Sequence, residues 1–407
     1  MRRVLANATV FDGTEAPPRV TDVAIEEGRI VAVGDGLTGT VRVDLSGHTL
    51  IPGLINTHVH VVGTSPILED RLRTPFSAQF FAAIPIMENL LRCGFTTVRD
   101  LAGADLGVKR AVERGLLPGP RLQIAVQCLS PTGGHIDAWL PSGVDAFEYY
   151  IAHPGRPHGV VDGPDEIRVA VRELTRAGAD VIKICTTNGG LYPRKDYLPA
   201  HFRDDELAAV MEEARNAGRP VASHAHGVEG VKNAVRAGVD SIEHGTYLDD
   251  EAVAMMADRG TYLVPTLSRS FGPLDNPAAA ARIGAERLEH AKRIAEANMT
   301  SFQRAVEAGV RIAMGTDMHG GELLDELHYM HDGGLSAEQV IAASTSVAAE
   351  LLGLADEIGS VRPGLRADLV VLAGEAVPFR GLRDRIVTVY QDGEVTSGAE
   401  PQEGIAR

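Results

Sequence analysis

One pattern of polar and apolar positions recurs through the middle of the chain. A stretch with helical periodicity ends at a small or basic residue and a glycine, and a run rich in valine and isoleucine follows. A glycine just past a helix end closes the last turn in the left-handed conformation. The β-branched run after it is typical of a buried strand. The pattern occurs at Gly94, Gly178, Gly218, Gly238, Gly260 and Gly309.

Two further runs bring the predicted strands to eight. One covers residues 50–60, before the first glycine of the series, and the other covers residues 121–130. Strands that alternate with helices form parallel sheets. The sequence therefore predicts an α/β fold with a (β/α)8 TIM barrel over residues 51–358. An open, doubly wound sheet is the alternative.

The two ends of the chain lack the helical pattern. Residues 1–50 and 359–407 contain short strand-turn-strand patterns. Neither segment is long enough to bury a core by itself. We therefore expect both ends to pack together as one small, discontinuous β-sandwich domain that the barrel interrupts.

Composition narrows the possible functions. The 407 residues are 44% apolar and include 55 acidic and 39 basic side chains, which gives a net charge of −16. This balance is typical of a globular protein and unfavourable for nucleic-acid partners, because an acidic surface repels phosphate backbones. We identify no signal peptide and no apolar run of about 18 residues, which predicts a cytoplasmic protein with no membrane partner. The sequence leaves open whether the chain forms a homo-oligomer.

A glycine motif near the start of the chain needs a separate interpretation. Residues 34–39 match the G-x-G-x-x-G pattern of dinucleotide sites. Such a site requires a helix that opens at the motif, because the pyrophosphate sits on the helix N-terminus. Here another strand pattern follows, so we expect a hairpin loop and not a nicotinamide-dependent oxidoreductase.

Polar residues occur where several predicted strands end. In buried parallel strands such groups are unfavourable unless they are paired or coordinated. The carboxyl ends of barrel strands meet at one mouth, where catalytic residues lie. These polar residues are His58 and His60 on the first strand, Lys183 on the fourth, His224 on the fifth, His244 on the sixth and Asp317 on the eighth.

The spacing of these residues is suited to metal binding. His58 and His60 are two positions apart on a strand, so both imidazoles point to the same side and can bind one ion. His224 and His244 come from neighbouring strands and can meet on a second ion. Each residue alone also has an ordinary explanation, such as a hydrogen-bonded core histidine or a lysine that reaches solvent. Four histidines at equivalent strand ends make that explanation a poor one for the set.

The combined motifs THVH, VIKI, SHAHG, IEHG and GTD resemble those of the amidohydrolase superfamily. Within it, the chain looks most like the binuclear branch of Xaa-Pro dipeptidases, metallo-carboxypeptidases and ochratoxinase-type amidases. The resemblance implies that His58, His60 and Asp317 hold one divalent ion. His224 and His244 would hold the second, and carboxylated Lys183 with a water or hydroxide would bridge the two. Zinc suits this ligand set best, with manganese or cobalt as alternatives.

The resemblance also suggests which residues meet the substrate. His135 stands in a PTGGH loop that contacts substrate in dipeptidase-like relatives, and His226 occupies a position where some relatives have tyrosine. We expect His135 or His226 to help polarise the substrate carbonyl and Asp317 to transfer the proton. Asn188 and Tyr192, in a long loop, are further candidates for substrate contact.

These expectations define a metal-dependent hydrolase that cleaves an amide or peptide C–N bond through hydroxide bridging two metals. The preferred substrate is a dipeptide or an N-acyl amino acid with a free carboxylate. An alternative substrate is a non-peptide amide, carbamate, urea or cyclic amide such as an imidazolone. A different class, an inert barrel that binds a metal or ligand without turnover, is disfavoured because every expected ligand position is filled.

Overall fold

The structure is a computed structural model. It describes residues 1–63, 70, 73–139, 142, 150–189, 198–275, 285–318, 323–399 and 403–404. Tyr192, one of the expected substrate contacts, lies outside these residues.

The chain begins with strands that join one mixed sheet. They are β1 (Arg3–Val10), β2 (Arg19–Glu26), β3 (Arg29–Gly34), β4 (Val41–Asp44) and β5 (His48–Pro52). A turn and then β4 follow Gly34, and no helix opens there. The glycine motif at residues 34–39 is therefore a connection between strands, as expected.

The central strands are parallel and follow one another in chain order. From β9 to β13 each strand pairs with the next one in the chain, which is the order of a barrel and not of a doubly wound sheet. β8 and β9 lie within residues 121–129, so the backbone itself connects the sheet of β6–β8 with the sheet of β9–β13. The strands are β6 (Leu54–Val59), β7 (Phe95–Asp100), β8 (Arg121–Ile124), β9 (Cys128–Leu129), β10 (Ile182–Cys185), β11 (Val221–Ala225), β12 (Ser241–His244) and β13 (Tyr262–Val264).

Backbone hydrogen bonds place residues 311–317 between the last of these strands and the first. On one side, Leu263 N–H donates to the Arg311 carbonyl at 2.9 Å. On the other, Thr57 N–H donates to the Met314 carbonyl at 2.9 Å, and Asp317 N–H donates to the His58 carbonyl at 2.8 Å. This segment corresponds to the predicted eighth strand and connects β13 with β6, while β8 and β9 are the two parts of the predicted third strand. It lies where a (β/α)8 barrel closes.

Helices connect the strands, and six of them end one or two residues before a glycine of the recurring pattern. The side chain of Asp105 accepts the Val108 N–H at the start of α2, and Asp249 accepts the Ala252 N–H at the start of α6. All six glycines of the recurring pattern have positive φ, from 64° to 99°. The helices are α1 (Ala78–Arg92), α2 (Leu106–Glu113), α3 (Gly163–Arg176), α4 (Asp204–Asn216), α5 (Val228–Ala237), α6 (Asp250–Arg259), α7 (Leu267–Asp275), α8 (Ala285–Glu307), α9 (Asp325–Asp332), α10 (Ala337–Ala343) and α11 (Ser346–Leu351).

The end of the chain returns to the first sheet. Its strands are β14 (Leu369–Ala373), β15 (Ile386–Gln391), β16 (Glu394–Gly398) and β17 (Glu403–Gly404). β14 pairs antiparallel with β5, and the sheet order is β16-β15-β14-β5-β1-β2-β3, with β4 beside β1 and β17 beside β4. One buried cluster contains Leu5 and Leu50 together with Leu369 and Tyr390. Both chain ends thus share one apolar core, while a domain division at residues 50 and 359 stays a prediction.

The closing strand leaves no room for a side chain at Gly315. A β-carbon there would lie 2.4 Å from Val264 Cγ1 and 2.8 Å from His58 Cβ. We expect Gly315→Ala to lower the free energy of unfolding by about 1–3 kcal/mol, because neighbouring strands must move apart. Denaturant unfolding measures the change. Gly272→Ala is the matched control, since its nearest atom is 4.0 Å away and alanine favours a helix. Equal stability of the two variants would contradict the tight closure.

Candidate metal centre

The ligand residues expected from the sequence lie together at the carboxyl ends of the barrel strands. The His58 and His60 rings are 5.4 Å apart, and the His224 and His244 rings are 4.7 Å apart. His58 and His244 connect the two pairs, with 5.1 Å between ring centroids. Asp317 Oδ1 lies 3.2 Å from His60 Nε2 and 3.6 Å from His58 Nε2. Residues that are up to 259 positions apart in the sequence therefore form one cluster.

Two sets of three residues bring their ligand atoms within 4.8 Å of one another. One set is His58, His244 and Asp317, and the other is His224, His226 and His244. The two sets share His244, so two cations here would be neighbours. His226, which we expected to meet substrate, is also within range of a metal. His60 belongs to neither set, although its Nε2 contacts Asp317.

A hydrogen bond at one ring nitrogen orients each histidine of the cluster, and His60 Nε2 also contacts Asp317 Oδ1 at 3.2 Å. Such partners fix the tautomer and the orientation of a metal-binding imidazole. The Nδ1 partners are Glu243 Oε2 for His58, the Ala102 carbonyl for His60, Thr246 Oγ1 for His226 and Thr266 Oγ1 for His244, all at 2.7–2.8 Å. His224 differs, since its Nε2 faces the Asn188 carbonyl at 3.3 Å.

The backbone is strained at two of the expected ligands, His244 and Asp317. His244 has φ of 72° and Asp317 has φ of 51°, and neither residue is a glycine. The left-handed region costs a residue of this kind about 1–3 kcal/mol, and such strain concentrates at functional sites. It turns each side chain away from the regular strand direction and toward the cluster.

Four of the five histidines in the cluster are kept neutral. Burial, reinforced by the nearby Lys183 charge, lowers the pKa of His58 to about 4. Burial also lowers the pKa of His226 to about 4, and it holds the pKa values of His224 and His244 well below the ordinary value. Burial acts on His60 in the same direction, but the hydrogen bond and charge of Asp317 raise its pKa overall. Neutral imidazole is the form that binds metals.

Lys183 places an amine beside these rings. Its side chain lies in β10 and is only 3% exposed. Among the described residues, Nζ has no hydrogen-bond partner. Burial lowers the pKa of this amine, and the carboxylate of Glu243 opposes the shift only in part. An unpartnered buried amine is unfavourable as it stands, so the position calls for a further group.

Comparison with known proteins agrees with this geometry. The profile described as "Amidohydrolase family" matches residues 49–398, which is most of the chain. The chain belongs to the amidohydrolase family.

Individual relatives of this amidohydrolase share both sequence and fold. Ochratoxinase of Aspergillus niger is 34% identical over 369 residues, which cover 86% of this chain and 76% of that protein. A crystal structure of a Xaa-Pro dipeptidase with methionine in its active site has a TM-score of 0.86 and 32% identity, covering 97% of this chain and 99% of that one. The A. niger ochratoxinase crystal structure has a TM-score of 0.86 and 28% identity, covering 98% and 96%.

The family and these relatives establish an enzyme that hydrolyses carbon–nitrogen bonds of amides. Members of the family generally bind a divalent metal. In the part of the chain that the structure describes, no helix is both long enough and apolar enough to cross a membrane.

Two residues behind the amidohydrolase site were missed by the sequence reasoning. Glu243 is 0% exposed. One of its carboxylate oxygens accepts a hydrogen bond from His58 Nδ1, and the other accepts one from Arg99 Nη2 at 3.0 Å. Burial alone would raise the pKa of Glu243, but the charges of Arg99 and Lys183 and the His58 hydrogen bond lower it to about 2. A signal was present in the sequence, because Arg99 and Glu243 are charged residues inside strands that are predicted to be buried.

Asp317 also forms an ion pair with an arginine side chain at the mouth of the barrel. Arg269 Nε lies 3.4 Å from Asp317 Oδ2. Burial raises the pKa of Asp317, but the His60 hydrogen bond and the charges of His58 and Arg269 outweigh it and hold the pKa well below the ordinary value. Asp317 is therefore a carboxylate at neutral pH. Sequence reasoning did not select Arg269, since nothing local distinguishes it from other helix arginines.

The expected substrate contacts lie beside the histidine cluster. The His135 ring stacks on His224, with 4.1 Å between centroids, and His226 stacks on His244 at 4.8 Å. A β-carbon at Gly189 would lie 2.5 Å from the His135 ring, so only glycine fits against it. Asn188 is buried, and its backbone carbonyl faces His224. The structure thus brings His135, His226 and Asn188 to the site.

The histidine cluster should make the metal-free protein sensitive to acid. The unfolded pKa of His226 is about 6.5 and the folded value is about 4, so its stabilising contribution is present above pH 6.5 and is lost as the pH falls toward 4. We expect the unfolding free energy of chelator-treated wild type to fall between pH 7 and 4 by about 1–3 kcal/mol more than that of His226→Gln. Denaturant titrations at several pH values measure this difference. Parallel pH profiles would show that His226 is not neutral in the folded protein.

Proposed function

We propose that this chain is a binuclear metal-dependent hydrolase that releases an amino acid from a dipeptide or an N-acyl amino acid. The observation that carries the proposal is the arrangement of two ligand sets that share His244 beside the buried, unpartnered amine of Lys183. A single-metal site would use one set and would leave that amine without a role.

The residues present fit two divalent cations. By the family resemblance, His58, His60 and Asp317 would hold one, and both histidines contact Asp317. His224 and His244 would hold the other, with His226 in the same group of ligand atoms. Neutral imidazoles and a carboxylate suit zinc, while manganese and cobalt accept similar ligands. When bound, the cations make a water more acidic and polarise the substrate carbonyl.

Lys183 is the natural bridge between the two ligand sets. Its lowered pKa increases the fraction of free amine, which is the form that reacts with carbon dioxide. The amine nitrogen bonds to the carbon of carbon dioxide and loses one proton to solvent, and a carbamate with two oxygens results. The carbamate would remove the unfavourable buried cation and would supply two oxygens as metal ligands.

Asp317 is placed to move the proton during the reaction. It is ionised at rest, so it accepts a proton from the attacking water on a carboxylate oxygen. Because its pKa is held low, the protonated form is a strong acid and passes the proton on to the leaving nitrogen. His226 and His135 flank the same space and can donate a hydrogen bond to the carbonyl oxygen as it gains negative charge.

The relatives support a substrate with an amino-acid portion. The Xaa-Pro dipeptidase holds methionine, an amino acid, in its active site. The acidic charge of the chain favours small molecules over nucleic acid as partners.

A cleavage screen tests the proposed function. Wild type loaded with zinc, manganese or cobalt is offered dipeptides and N-acyl amino acids alongside neutral anilides, ureas and cyclic amides. We expect release of amino acid from the first group and a loss of about 10²–10⁴-fold in kcat for Asp317→Asn, because proton transfer is removed. Cleavage of only the neutral compounds would favour the alternative substrates. Near-wild-type turnover by Asp317→Asn would refute its role.

Removing the Lys183 amine should remove metal. We expect Lys183→Ala, measured by elemental analysis after dialysis, to bind fewer cations per chain than wild type, because the bridging oxygens are lost. Added formate or acetate should restore part of the metal content and activity. Lys292→Ala, at an exposed ion pair with Glu289, is the control that keeps its metal. Full metal content in Lys183→Ala would argue against a carbamate bridge.

A further inference from the structure

Arg269 is a cationic side chain at the mouth of the barrel that the reaction scheme above leaves unused. It is the third residue of α7, the helix that follows β13. Its Nε lies 3.4 Å from Asp317 Oδ2, and its side chain is 34% exposed. Arg269 therefore reaches from the surface to the residue that protonates the leaving nitrogen.

We infer that Arg269 is a specificity-determining residue that binds the carboxylate of the released amino acid. The inference rests on the proposed function and names the residue that recognises the carboxylate of its substrates. The site prefers amides whose leaving amine carries a carboxylate on the adjacent carbon.

The geometry of an amino acid explains why a cation belongs at this place. In an N-acyl amino acid, the carboxylate carbon is about 2.5 Å from the leaving nitrogen, because a single carbon joins them. Asp317 must approach that nitrogen to protonate it, so the substrate carboxylate must lie close to Asp317. Two carboxylates at that distance repel each other unless a cation lies between or beside them. Arg269 supplies that charge.

The Arg269 guanidinium has N–H donors that the contact with Asp317 does not use. Asp317 uses the Nε side, and no other side-chain hydrogen bond or ion pair of Arg269 is found with the described residues. A guanidinium has five N–H donors in a planar fork, which matches a carboxylate with two parallel hydrogen bonds. Arg269 can therefore hold Asp317 and a substrate carboxylate at the same time.

The start of α7 is held firmly enough to position this side chain. Glu326, 0% exposed on α9, accepts the Leu267 N–H at 2.8 Å and the Ser268 N–H at 2.6 Å. On the other side, Thr266 Oγ1 hydrogen-bonds with His244 Nδ1 at 2.7 Å. The residues just before Arg269 are thus connected both to a buried carboxylate and to a proposed ligand. A specificity residue on a restrained element loses little entropy when substrate binds.

A competing explanation is that Arg269 acts only through Asp317, by lowering its pKa. That role would affect every substrate equally, because Asp317 protonates every leaving amine. A carboxylate-binding role affects only substrates that carry the carboxylate. The two explanations therefore differ in the ratio between matched substrates.

The test compares N-acetyl-L-phenylalanine with N-acetylphenethylamine, which has the same scissile bond and no carboxylate. We expect holoenzyme to prefer the acid, and Arg269→Met to lower kcat/KM for the acid about 10- to 100-fold relative to the neutral compound, mainly through KM. Arg269→Lys should lie between the two, since it keeps the charge and loses the fork. Arg176→Met, at an exposed helix arginine on α3, should keep the wild-type ratio.

Other outcomes overturn the inference. An equal fall for both compounds in Arg269→Met means that Arg269 acts through Asp317, and a wild type that does not prefer the acid means that no carboxylate is bound. If wild type cleaves neither compound, the proposed function is in error for this substrate class. Calorimetric titration of both compounds into holoenzyme then decides the inference by itself. Tighter binding of the acid that disappears in Arg269→Met supports it, and equal binding of the two compounds overturns it.

Discussion

The site depends above all on the backbone hydrogen bonds that close the barrel. The Thr57 N–H donates to the Met314 carbonyl and the Asp317 N–H donates to the His58 carbonyl, which joins strands more than 250 residues apart in the sequence. Because these bonds fix the register between the first strand and the last, they also place Asp317 against the two histidines of the first strand. Gly315 makes the approach possible, since any side chain there would collide with the neighbouring strands. The fold and the chemistry of the mouth therefore rest on the same contacts.

Neutral imidazoles, an amine and carboxylates are unfavourable in one enclosed space unless each group has a hydrogen-bond partner deeper in the barrel. The barrel meets this requirement with an inner layer of polar partners. Glu243 connects His58 to the fully buried guanidinium of Arg99, which also donates to the Thr57 carbonyl of the closing strand pair. Threonine hydroxyls hold His226 and His244. Lys183 is the exception among these groups, and its unpartnered amine is the best physical reason to expect a carbamate and two metals.

Much of the fold could be predicted from local patterns. The six glycines at helix ends have the left-handed conformation that the pattern requires, and the runs after them are strands or, for the eighth, the closing segment. The residues that the sequence reasoning missed share a physical cause. Arg99 and Glu243 face each other across the barrel, and Arg269 meets Asp317 from a different strand–helix unit. The sequence shows charges in two buried strands and one helix, but the role of each charge depends on a distant partner that no local pattern identifies.

By itself, the sequence determined the element types, their alternation and the strand ends that carry polar groups, because period, capping and β-branching act over a few residues. It also determined a resemblance to the amidohydrolases through short motifs around His58, Lys183 and Asp317. Only the tertiary structure decided which imidazoles share a set of ligand atoms, that His244 belongs to both sets, and that Arg269 stands beside Asp317. Those facts depend on register and closure between distant strands, which are set by packing and hydrogen bonds across the whole barrel and by no local pattern.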